Sequence, residues 1–107
     1  FLPDAEKAVA FHSNISERGV SAIYFRNNLW HFLPNWEHVI GRKTAWPGPY
    51  PFGGQPYGKE MRYSADMLPR SSEILSRLVT IPVFLQMDEE RIRNIVMDLQ
   101  AAAEEIL

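Results

Sequence analysis

Two segments with apolar residues at helical spacing and two β-branched apolar runs predict an α+β fold, because each carries one apolar face and all four need a shared core. The expected architecture is a small three-stranded sheet covered by helices. Its strands are residues 1–2, 20–26 and 78–85, and helices over 3–18 and 88–107 pack on it. At 107 residues the chain is one domain's worth, long enough for a modest core, and residues 1–107 are read as a single domain.

Taken in order, Phe1 and Leu2 read as the end of an apolar strand, since Pro3 and Asp4 supply a helix start before Ala5, Glu6, Lys7 and Ala8. Ala5, Ala8, Val9, Phe11 and Ile15 give that helix one buried face, and Gly19 stands at its C-terminal cap. His12 falls beside the face and reads as a boundary histidine packing its ring. Val20, Ala22, Ile23, Tyr24 and Phe25 form the second strand. Over 33–40, Pro34 in a first turn and Trp36, Val39 and Ile40 behind it predict a short helix that Gly41 ends. Residues 46–58 hold four Pro, four Gly and four aromatics, a mixture no regular element survives. Because Trp46, Tyr50, Phe52 and Tyr57 are large aromatics, the segment is expected to be an ordered loop packed across a neighbouring surface. Residues 59–70 are irregular, and Pro69 with Ser71 and Ser72 opens a short helix through Leu75. In the strand LVTIPVFL, Pro82 removes a ladder donor and confines that position to an edge, a strand end or a bulge. Asp88 is a good N-cap with Glu89 and Glu90 in the first turn, and Ile92, Ile95, Val96, Leu99, Ala103 and Ile106 make the clearest helical stripe of the chain.

Composition narrows the function. Apolar residues at 46% and charged residues at 22% are ordinary globular values, so neither disorder nor a membrane class is indicated. A net charge of −2, with eleven Lys and Arg scattered along the chain, offers nucleic acid no basic stripe. No apolar run reaches membrane-spanning length. The absence of cysteine excludes disulfides, thiolate metal sites and a cysteine nucleophile, and suits a cytoplasmic protein. A chain opening on Phe1 is expected to be a domain of a longer protein.

Site-capable side chains concentrate in one place. Two of the three tryptophans and two of the three histidines fall between residues 30 and 38, directly after Arg26, Asn27 and Asn28. A strand that delivers such a segment to its end resembles a scaffold presenting a site. His31, Glu37 and His38 do not make a metal motif, because paired ligands on one helix face need a separation near four, and these histidines are seven apart with Pro34 between. No nucleophile elbow, P-loop or dinucleotide fingerprint is present, so no catalytic residue is assigned. Tryptophans and histidines beside asparagines suit a polyhydroxylated ligand: flat apolar faces stack on sugar rings while amide and imidazole groups meet hydroxyls. Asn28, Trp30, His31 and Trp36 are the substrate-binding candidates. The competing reading makes both tryptophans core anchors of an irregular region.

The stretches FLPDAEKAVAF, ERGVSAIYF and SSEILSRLVTIPVFLQMDEERIRNIVMDLQAAAEEIL, in this order and spacing, resemble the C-terminal small domain of the DegT/StrS-type sugar aminotransferases. That resemblance implies the small α+β domain of a fold-type-I enzyme dependent on pyridoxal phosphate. In the commoner family pattern a His-Tyr-Pro segment follows the Gly-Ile strand; here Phe25, Arg26 and Asn27 take its first positions and His31 falls where a second family histidine stands. Asn-Leu-Trp-His and Asn-Trp-Glu-His are more similar to the subset acting on eight-carbon keto sugar acids of the octulosonate type. The resemblance implies amino transfer, usually from glutamate, to a keto sugar, with a homodimer forming the active site. The cofactor lysine, the aspartate facing the pyridine nitrogen and the phosphate-binding serines are implied to lie on a large domain outside this chain. Lys7, Lys43 and Lys59 sit in no Schiff-base context, so the chain alone is expected to be inactive. The alternative is an independent, non-catalytic module that binds a sugar or a protein.

Overall fold

Asp4 opens the first helix: its carboxylate accepts the backbone N–H of Lys7 at 2.8 Å, and α1 runs over Ala5–Glu17, leaving Pro3 outside. The computed structural model describes residues 1–48, 50–54 and 62–107. Tyr57 and Lys59 lie outside the described residues. At the end of α1, Gly19 takes φ 83°, the left-handed region that an L side chain resists, and Val20 N–H donates back to Ile15 O at 2.9 Å. The chain then enters β1 (Ile23–Tyr24), passes through a 3-10 turn at Phe25–Asn27, and continues to α2 (Glu37–Ile40), α3 (Pro69–Leu75), β2 (Val79–Thr80) and α4 (Glu89–Ile106).

Among the described residues this is an α+β chain with four α-helices and a two-stranded antiparallel sheet, Ile23 opposite Thr80 and Tyr24 opposite Val79. The sheet is smaller than the sequence predicts, for local reasons. Phe25 donates its N–H to Leu78 O at 2.9 Å and then turns into the 3-10 segment, so the rest of 78–85 faces no partner strand among the described residues. Pro82 could not donate in any case. Residues 1–2 approach the β2 side through Leu2 N–H, which donates to Arg77 O at 2.9 Å, but Pro3 and the start of α1 turn the chain away before a ladder forms.

Helices α1 and α4 pack on each other beside this sheet. Leu2, Ala8 and Tyr24 form one buried cluster, and Ile15, Val20 and Ala102 the other; Phe11 and Val79 pack against both and join them. Ala102 allows close approach of the helices, and burying a side chain such as Ile15 contributes about 1.5–3 kcal/mol. At the rim Arg18 pairs with Glu105, which also accepts a bond from Asn14 at 2.7 Å.

The segment expected to be one short helix over 33–40 is broken at Trp36, whose φ of −83° and ψ of 64° interrupt a 3-10 turn at Leu33–Asn35 before α2 begins. Gly41 ends α2 in helical geometry, and Arg42, at φ 53°, takes the left-handed position; Lys43 N–H donates to His38 O at 2.7 Å to close the turn.

The proline-rich loop departs from expectation. Trp46 is 69% exposed and Tyr50 is exposed too, so neither packs across a neighbouring surface of this chain. Phe52 finds an aromatic neighbour among the described residues, meeting Tyr63 edge-on at 6.0 Å. The radius of gyration, 19.0 Å, lies well above the roughly 13 Å of a compact chain of this length. No helix among the described residues is long and apolar enough to cross a membrane.

Candidate functional site

After Phe25–Asn27 the backbone makes few bonds to itself, and asparagine side chains take over. Asn28 Oδ1 accepts the N–H groups of both Trp30 (2.8 Å) and His31 (2.9 Å), which folds 28–31 into a tight turn. Asn35 Nδ2 donates to Arg26 O at 2.7 Å and Asn28 O at 3.1 Å, tying the end of the segment to its beginning. The strand therefore brings the chain to the site, and two side-chain amides set the shape of the loop that leaves it.

That shape turns Trp30 outward. Its side chain is 78% exposed and forms one wall of an open hollow of about 430 Å³ whose other walls are Leu29, Asn35, Glu37, His38 and Lys43. A tryptophan serving as a core anchor would be buried, so the packing account fails for Trp30 within this chain. Trp36 is half-buried, and its carbonyl accepts from Val39 and Ile40 at the start of α2.

The four candidates are thus given different places. Trp30 opens onto the hollow. His31 is exposed and stacks its ring on Phe25, centroids 6.4 Å apart and planes 23° apart, outside the lining of the hollow. Asn28 spends its carbonyl oxygen on the turn, leaving its amide nitrogen as the group it could offer a ligand. Glu37, His38 and Lys43, which the sequence reading did not choose as binding residues, line the hollow instead. Their places in the fold bring them there: Glu37 opens α2 and Lys43 follows the left-handed turn at Arg42, and both line the hollow with Trp30. Among the described residues no three His, Asp or Glu side chains converge as metal ligands. His12 behaves as a boundary residue, its Nε2 3.4 Å from Ala22 O and its ring 6.1 Å from that of Tyr24.

Chemically the hollow offers one flat apolar face, an amide, an imidazole, a carboxylate and an ammonium, all open to water. Such a set can stack on a sugar ring, meet hydroxyls with Glu37, His38 and Asn35, and attract a sugar carboxylate to Lys43. Comparison with family models, with curated proteins and with solved structures returns no match.

Proposed function

We propose that this chain is the substrate-side domain of an aminotransferase dependent on pyridoxal phosphate, and that the Trp30 hollow receives a keto sugar acid. The observation that carries the sugar reading is the exposure of Trp30 above a ring of polar side chains. The resemblance to the DegT/StrS-type small domain carries the reaction class, and with it glutamate as donor, a homodimeric parent enzyme and a cytoplasmic location. The described residues do not themselves fit the cofactor. Lys7 donates its ammonium to Leu107 O at 3.1 Å, Lys43 is exposed at the hollow, and no charged side chain among the described residues is buried where it could face a pyridine nitrogen. No step of the reaction is therefore assigned to this chain; its share is to bind and orient the sugar. Because the hollow is complete in residues of this chain, a non-catalytic sugar-binding module is the second reading, and both share one test.

The test is titration of the 107-residue chain with an eight-carbon keto sugar acid, following tryptophan fluorescence. Saturable quenching is expected. Trp30→Ala should weaken binding by about 0.5–1.5 kcal/mol, the contribution of an aromatic face, at unchanged Tm. Loss of Tm with unchanged binding would return Trp30 to a packing role and end the sugar reading. Borohydride trapping with pyridoxal phosphate separates the two functions: a stoichiometric adduct on Lys43 accompanied by turnover would place catalysis on this chain and refute its assignment as the substrate side alone.

A further inference from the structure

Where the two strands part, the chain encloses a hollow of about 290 Å³ between the turn that follows α1, the segment that follows β2, and α4. Part of its lining is apolar, with Val20 buried and Ile81 and Ile95 half-buried. The strand ladder stops at its edge. Ile23 lies opposite Thr80, and Phe25 N–H bonds Leu78 O, so Ser21 and Pro82 are the next residues due to exchange ladder bonds. Pro82 has no N–H to give. The Ser21 N–H and the Pro82 carbonyl make no hydrogen bond among the described residues, and both residues line the hollow.

The α4 wall carries Arg91, Asn94 and Asp98, which share one face of the helix at successive spacings of three and four. Among the described residues the Arg91 guanidinium and the half-buried Asp98 carboxylate have no ion-pair partner, and the Asn94 amide makes no hydrogen bond. Arg18, the remaining charge on the lining, is already held by Asn14 and Glu105. The hollow therefore offers one free cation, one free anion and, between them in the sequence of α4, an amide that donates and accepts at once. A simple anion or cation would satisfy only one end, whereas a zwitterion satisfies both. Its length follows from the helix: at a rise of 1.5 Å per residue the α-carbons of Arg91 and Asp98 stand about 10 Å apart. A free amino acid holds its two charges on one α-carbon and spans too little. Extended chain at about 3.3–3.6 Å per residue covers the distance with three residues. Main-chain donors and acceptors left unpaired at a strand end are the groups by which extended peptides are held, and the apolar lining suits aliphatic side chains.

We propose that this hollow binds a short, extended, apolar peptide of about three residues with free ends, its carboxylate on Arg91, its ammonium on Asp98 and its main chain on Asn94, Ser21 N–H and Pro82 O. It shares no residue with the Trp30 hollow, so the inference does not rest on the sugar reading.

Amide chemical shifts of the isotopically labelled 107-residue chain, followed as the tripeptide Ala-Leu-Ala is added, test it. Saturable shifts at Ser21, Asn94 and Asp98 are expected, with a Kd on the order of 0.1–1 mM. Asp98→Asn should weaken binding about three- to tenfold and leave the affinity of the N-acetylated peptide unchanged, because that peptide brings no ammonium. Arg91→Gln should do the same for the free peptide and leave the C-amidated one unchanged. Blocking both ends should cost the wild-type chain about 10- to 100-fold, the two losses combined. Pairing each variant with the peptide that lacks the matching charge separates a lost contact from a disturbed fold, since a misfolded variant would lose every peptide alike. The proposal is overturned by the absence of saturable shifts up to about 10 mM. Equal affinity for free and doubly blocked peptide overturns it as well, because binding would then be apolar adhesion, and so does free leucine binding as tightly as the tripeptide, because the span between Arg91 and Asp98 would then play no part.

Discussion

Asn35→Ala should loosen the Trp30 turn and leave the rest of the chain intact. Asn35 Nδ2 donates to two carbonyls, Arg26 O at 2.7 Å and Asn28 O at 3.1 Å, and no backbone group takes its place in the loop. Each bond contributes about 0.5–1.5 kcal/mol net, so their joint loss costs about 1–3 kcal/mol. The cost falls on local opening, because Phe32, the one buried side chain of residues 26–36, belongs to neither of the two clusters beneath α1 and α4. Amide exchange of Trp30 and His31 reads it directly, since both N–H groups are held by Asn28 Oδ1 at the point Asn35 anchors. At a factor of ten for each 1.4 kcal/mol, exchange at these two amides should quicken by about 5- to 150-fold, while amides of α1 and α4 keep their rates. Asn35→Asp should do more at neutral pH, because a carboxylate would face two carbonyl oxygens. It should recover in part below about pH 4, where the protonated acid can donate once. Unchanged exchange at Trp30 and His31 in Asn35→Ala would refute the view that side-chain amides hold this loop. An equal quickening across α1 and α4 would refute its local character.

Three further outcomes concern the scaffold. Ile15→Ala empties the most buried large side chain, between Val20 and Ala102, and should lower stability by about 2–5 kcal/mol in urea denaturation. The Tyr24 hydroxyl is buried without a hydrogen-bond partner among the described residues, so Tyr24→Phe should raise or preserve Tm, whereas a loss above about 1 kcal/mol would reveal a partner for it. Bonds from Asn14 and Arg18, together with the charge of Arg18, hold the Glu105 carboxyl below its ordinary 4.5, so the folded state favours the ionised form. That contribution is present above the ordinary value and is lost as pH falls through the lowered one; the Tm advantage over Glu105→Gln should therefore shrink as pH drops from about 5 to 3.

The helices were legible in the sequence because their signals are local. Asp4 and Asp88 each cap the helix their positions predict, and the stripe from Ile92 to Leu99 follows one face of α4. Strand length was not legible, because a ladder needs two chains in register. The run 20–26 is mostly apolar, with β-branched Val20 and Ile23 and aromatic Tyr24 and Phe25, yet only Ile23 and Tyr24 pair, since the partner run is stopped by Pro82 and the first run curls at Phe25. Residues 33–40 carried helical spacing on either side of Trp36, and periodicity does not report the ψ of 64° that divides them. Among the residues that line the hollow, Trp30 stands out by composition. Lys43 does not, because it reaches the hollow only through the left-handed turn at Arg42, a conformation for which Gly41 was the natural candidate.

The amino acids that made residues 26–38 look like a site do two different jobs, and the structure separates them by where their polar atoms point. An irregular segment must satisfy its backbone groups without a ladder. Here Asn28 accepts two N–H groups and Asn35 donates to two carbonyls, four bonds that replace those of a strand or helix. Once the asparagines are accounted for in this way, the clustering of amides beside tryptophan is no independent sign of a ligand. What remains unexplained by folding is the outward Trp30 and the Glu37, His38 and Lys43 side chains around it, none of which is drawn into the core. Exposing a tryptophan gives up about 1.5–3 kcal/mol that burial of a comparable large apolar side chain would supply. A loop held by four side-chain bonds in the conformation that incurs this loss is organised to present the ring, and the ligand-binding case rests on Trp30 for that reason.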